Sequence, residues 1–114
     1  MIELQVLSKV LQTQDISIIE DNQLTVDYFP EYAEEFTYIM DHYNEYGNVP
    51  DKLTFLSAFK EIKLVEVTET DEYLVHAIRE QNLFNKALPI VENVAKLLET
   101  DSNQAVEYLL TSLL

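Results

Sequence analysis

The sequence predicts an all-α fold, a small orthogonal helical bundle followed by a C-terminal antiparallel helical hairpin. Three observations carry that expectation. Apolar residues recur at three- and four-residue spacing along most of the chain, which is the period of a helix with one buried face. A single glycine and three prolines leave little of the punctuation that strands and tight hairpins require. With 114 residues and 47% hydrophobic content, the chain is long enough for one core and too short for two. Residues 1–66 are expected to form the globular bundle and residues 67–114 the hairpin of the same single domain, truncated from a longer chain.

Ile2, Val6, Val10 and Leu4, Leu7, Leu11 define a first helix that ends near Thr13. Asp15 is placed to cap a short second helix carrying Ile16, Ile18 and Ile19, with a brief strand as the alternative that three isoleucines allow. A loop from Asn22 to Phe29 leads to Pro30, which suits a first helical turn because its missing N–H has no partner to lose there. Tyr32, Phe36, Ile39, Met40, Tyr43 and Tyr46 mark the inward stripe of the next helix, and Gly47 stands where a left-handed cap would end it. After Pro50, Asp51 caps a helix with Leu53, Leu56 and Phe59 facing inward, ending near Glu61 to Lys63.

The β-branched run Leu64-Val65-Glu66-Val67 is expected to be extended. Thr68 or Thr70 then opens a long helical pattern through Tyr73, Ala77, Ile78, Phe84, Ala87, Leu88, Val91, Val94, Ala95 and Leu98, with a kink or break at Pro89. Asp101 and Ser102 cap a last helix with Ala105, Val106, Leu109, Leu110 and Leu113.

Charge excludes one class of partner. The chain has 21 acidic and 7 basic residues, a net −14, and the ten acidic residues from Asp15 to Asp51 are uninterrupted by lysine or arginine. Binding to DNA or RNA depends on cations that displace counterions from phosphates, so no direct nucleic-acid contact is expected. No apolar run approaches the roughly 18 residues of a membrane span, so no membrane partner is expected either. Without cysteine there is no disulfide or thiolate chemistry, and a cytoplasmic location is the expectation.

Catalytic motifs are missing. One glycine cannot supply a phosphate-binding loop or a dinucleotide fingerprint. Neither His42 nor His76 has the glutamate three residues earlier that a di-iron bundle needs. His42 with Asp41 and Glu45 could make a metal or acid–base cluster on one helix, but a solvated acidic face with an incidental imidazole is far commoner and explains the surrounding glutamates as well. No catalytic, cofactor-binding or metal-binding residue is therefore assigned, and the chain alone is expected not to be an enzyme. The candidate site is a surface: Phe84, Leu88, Val91, Leu98, Leu109 and Leu113, more apolar positions than two helices would hide from each other.

Three stretches resemble the N-terminal domain of DnaB-type replicative DNA helicases. They are Glu3-Leu4-Gln5-Val6-Leu7 with Val10-Leu11, the run from Phe36 through Tyr46-Gly47 and Val49-Pro50-Asp51 to Phe59, and Tyr73 to Leu98 followed by Ala105 to Leu110. The short link between Phe59 and Tyr73, Pro89 within a hairpin arm and the acidity depart from the family pattern and suggest a divergent, phage-encoded member. The resemblance implies a role in DNA replication, with hairpins self-associating into a collar that receives primase or a helicase loader. It places the motor, with its ATP and magnesium, outside this chain. The alternative from another class is a free-standing acidic helical protein that binds a basic partner or mimics DNA charge.

Overall fold

A computed structural model describes residues 1–113. Six α-helices run in the order α1 (Ile2–Thr13), α2 (Ser17–Glu20), α3 (Ala33–Tyr46), α4 (Lys52–Ala58), α5 (Asp71–Thr100) and α6 (Ser102–Leu113), with a 3₁₀ turn at Val26–Tyr28 and no strand among the described residues. The protein is all-α. It divides into two compact units, Met1–Arg79 and Glu80–Leu114.

The first unit contains the core. Val6, Leu7, Val10 and Leu11 of α1 meet Ile18 and Ile19 of α2, Phe36 and Ile39 of α3, Phe55 of α4, and Leu74, Val75 and Ile78 from the start of α5. Phe29, fully buried in the loop before α3, stacks on Phe36 with ring centroids 4.6 Å apart. Fully burying each such side chain contributes roughly 1.5–3 kcal/mol, so this cluster supplies the main drive to fold.

Local signals fix several ends as the sequence predicts. α1 stops at Thr13, where Gln14 turns left-handed with φ 56° and its side chain donates to the carbonyls of Leu11 and Pro50. Asp15 accepts from the backbone N–H of Ser17 at 2.8 Å, but the N-cap of α2 is Ile16 and not Asp15; the stretch is a helix rather than the strand that three isoleucines allow. Gly47, at φ 77°, closes α3 with its N–H on the Tyr43 carbonyl. The Asp51 carboxylate caps α4 by accepting from the Thr54 N–H at 2.7 Å, a bond that holds its pKa below the ordinary aspartate value. Thr70 rather than Thr68 opens α5, its hydroxyl accepting from the Tyr73 N–H.

Other expectations are corrected. Pro30 lies outside α3, which begins three residues later at Ala33; the backbone N–H groups of Glu31 and Tyr32, just before the helix, bond to the carboxylate of Glu3. Tyr46 is 65% exposed and belongs to no core stripe. On α4 Phe55 is the fully buried residue and Leu56 and Phe59 pack against the core as expected, while Leu53 is 78% exposed. That helix also ends at Ala58, earlier than the spacing suggests, since Phe59 already leaves helical geometry. Tyr73 faces out, and Leu74 and Val75 bury instead. Pro89 does not break α5, which runs on to Thr100. Both Pro89 and Asn85, whose carbonyl loses its donor, are at exposed positions.

The stretch from Leu64 to Val67 joins no ladder. It is tied to α1 by side chains, with the Val65 N–H donating to Ser8 Oγ and both backbone groups of Val67 bonded to the Gln12 carboxamide at 3.0 Å.

Candidate interaction surface

The second unit consists of the distal part of α5 and α6, separated by Asp101 alone. Asp101 begins α6 by accepting from the N–H groups of Asn103 and Gln104. Asn93 of α5 donates to the Tyr108 hydroxyl of α6 at 2.9 Å. Ala105 is fully buried, and Ala87, Ile90, Val94 and Leu97 are half-buried with Tyr108. Those α5 residues recur at intervals of three, four and three, which makes them one stripe.

A second apolar stripe runs one position further round the helix. Phe84, Leu88, Val91, Ala95 and Leu98 follow intervals of four, three, four and three, and every one of them is exposed. Phe84 is 63% exposed, Leu98 54% and Leu109 36%. On α6, Val106, Leu110 and Leu113 are exposed as well. All six residues singled out in the sequence therefore lie at the surface of the second unit. Sequence reasoning omitted Leu83, Val106 and Leu110 from that set, although their apolar character was plain. The spacing could not show which of two overlapping stripes an adjacent helix would take.

The electrostatics of this unit are mild. It carries five carboxylates, Glu80, Glu92, Glu99, Asp101 and Glu107, against Lys86 and Lys96, whereas the other sixteen acidic residues belong to the first unit. The excess negative charge is thus concentrated away from the apolar stripe along the sequence.

His42 is engaged elsewhere than in a metal cluster, its Nδ1 lying 2.9 Å from the Asn48 carbonyl oxygen and its ring 4.9 Å from that of Tyr46. Among the described residues, no three His, Asp or Glu side chains are grouped as metal ligands would be. No helix there is long and apolar enough to cross a membrane.

One buried acid escaped the sequence reading. Glu3 is enclosed within the first unit; its Oε1 accepts from the N–H groups of Glu31 at 3.0 Å and Tyr32 at 3.2 Å, while Oε2 has no hydrogen-bond partner. Burial raises its pKa above the ordinary glutamate value, against the opposing pull of those two N–H donors. Its place one residue into an apolar helix was the available signal.

Comparison with protein families, curated proteins and solved structures finds no match for this chain.

Proposed function

We propose that this chain is a non-catalytic assembly and recruitment domain that self-associates through the hairpin of its second unit, acting in replication as the N-terminal collar domain of a DnaB-like helicase. One observation carries the reading: the exposed stripe Phe84, Leu88, Val91, Ala95, Leu98, which has the spacing of a helix–helix seam. Large apolar side chains exposed singly are ordinary, but a contiguous row with interface spacing is the mark of a surface that another chain covers. A stable dimer buries roughly 800 Å² per partner, about a tenth of the 7688 Å² surface of this protein. Two helices of this length can supply that area.

Charge opposes association only weakly. Two copies bring −28 together in all, twice the −14 of one chain, but the second unit contributes a net −3 from five carboxylates and two lysines. Exposed charges more than roughly 8 Å apart are screened at physiological salt, while apolar burial contributes roughly 25 cal/mol per Å². Association therefore strengthens as salt rises. In the full protein the collar would receive primase or a loader, and the ATP-driven motor would lie in another domain.

Sedimentation of the parent and of a Leu98→Glu, Leu109→Glu double variant, at low and moderate salt, tests the proposal. The parent is expected to dimerise or assemble further, more strongly at higher salt, and the variant to stay monomeric with an unchanged helical circular dichroism spectrum. A parent that is monomeric at high micromolar concentration in both salts overturns it. Phosphate release from ATP and a DNA titration on the same samples are expected to show neither hydrolysis nor saturable binding.

A further inference from the structure

A second surface lies wholly within the first unit. Ala33, Thr37 and Tyr38 of α3 and Phe59, just past α4, line an open groove of about 430 Å³, with the carboxylates of Glu34 and Asp41 also at its wall. Its floor is aromatic and held from beneath. Tyr38 meets Phe59 edge-on at 5.4 Å between ring centroids and at 90°, and both rings lie against Phe55, which is fully buried. Tyr38 and Phe59 are only half-buried, so part of this apolar floor faces the groove.

The two acids set the geometry. Glu34 and Asp41 are seven residues apart on α3, two turns or about 10 Å along the axis, with Thr37 and Tyr38 between them. They belong to the stretch in which ten acidic residues occur without a lysine or arginine. A partner must therefore offer an apolar side chain to the floor and positive charge at both ends of it.

We propose that this groove docks a basic amphipathic helix of another protein, one apolar side chain resting on the floor that Tyr38 and Phe59 form together and two lysines or arginines about seven residues apart pairing with Glu34 and Asp41. Charge brings such a helix to the acidic face and aligns it, while the aromatic floor selects the apolar residue. This site is independent of self-association through the second unit, and it accounts for an acidic face that solubility alone would not require to flank an apolar groove.

The test uses the ¹⁵N-labelled 114-residue chain and two synthetic helical peptides. The probe has one leucine, with a lysine four residues before it and another three residues after it, on an otherwise alanine and glutamine scaffold; the control replaces that leucine with alanine. The probe is expected to shift the amide signals of Thr37, Tyr38, Asp41 and Phe59 and to bind at least tenfold more tightly than the control. Raising salt and the Glu34→Lys, Asp41→Lys double variant should each weaken it at least tenfold, the variant keeping its helical circular dichroism spectrum. The Leu98→Glu, Leu109→Glu variant should bind the probe as the parent does, which separates this proposal from the self-association reading. Equal binding of probe and control, shifts spread over the acidic surface at large, or an absence of binding would each overturn the groove.

Discussion

Replacing Glu3 probes the least ordinary contact in the first unit. In Glu3→Ala, the Glu31 N–H loses the oxygen that accepts it at 3.0 Å in a part-buried setting, while the Tyr32 N–H loses its 3.2 Å bond to Glu3 and keeps only the Phe29 carbonyl. An unsatisfied buried donor costs about 1–3 kcal/mol, and deleting the side chain also leaves a void, so a loss on the order of 3 kcal/mol is expected. For a unit of this size each kcal/mol moves the melting temperature by roughly 4–8 °C, which puts the drop well above 10 °C. Glu3→Gln keeps an acceptor for both N–H groups but cannot titrate, and so isolates the ionisation. Because burial raises the folded pKa of Glu3 above its ordinary 4.5, folding takes up a proton here. The resulting stabilisation is complete below the unfolded value and is lost as pH rises through the folded one. The Glu31 carboxylate adds to the upward shift, and the N-terminal amine works against it. The melting temperature of the parent should therefore rise relative to Glu3→Gln as pH falls from 7 toward 4.5, and the difference should level off below that. Thermal melts followed by circular dichroism across this range measure both effects. A difference independent of pH, or one that shrinks on acidification, would refute the account of burial; a harmless Glu3→Ala would refute the account of the two N–H groups.

Two further outcomes follow from the same unit. Gly47→Ala should cost about 1 kcal/mol in thermal melts, because a Cβ at φ 77° meets no atom within 4 Å and the whole penalty is conformational; Gly47→Asn should cost less, since asparagine tolerates that region. Phe55→Ala should lower stability by about 3–5 kcal/mol in chemical denaturation, whereas Leu53→Ala, two residues earlier on the exposed side, should change it by less than about 0.5 kcal/mol.

The helices and their caps were legible because the signals are local. Asp51, Gly47, Thr70 and Asp101 act on backbone groups within four residues of themselves, and each stands in the structure where the sequence puts it. Facing was harder to read. In α4, Leu53 and Phe55 are both apolar and only the position of the neighbouring helices decides that Phe55 turns inward. Pro30 illustrates a different failure: its fitness for a first turn is real, but α3 starts only at Ala33, and the N–H groups of Glu31 and Tyr32 go to a carboxylate 27 residues before Pro30, a contact between distant residues that local spacing does not reveal. The six apolar residues of the candidate surface could be picked out by composition, and all six are exposed; the Tyr38–Phe59 groove could not, because it joins residues 21 apart whose rings meet only after α3 and α4 pack.

The binding of Val65 and Val67 to α1 also bears on aggregation. Leu64-Val65-Glu66-Val67 is the composition that extends and recruits a strand from another molecule when its backbone N–H and C=O groups are open. Here Ser8 accepts from the Val65 N–H and Gln12 takes both backbone groups of Val67, so helical side chains fill positions that a neighbouring strand would otherwise take. The protection lasts only while α1 is docked. Partial opening that frees the N-terminal helix would uncover this β-prone stretch and, with Val6, Leu7, Val10 and Leu11, one side of the core at once.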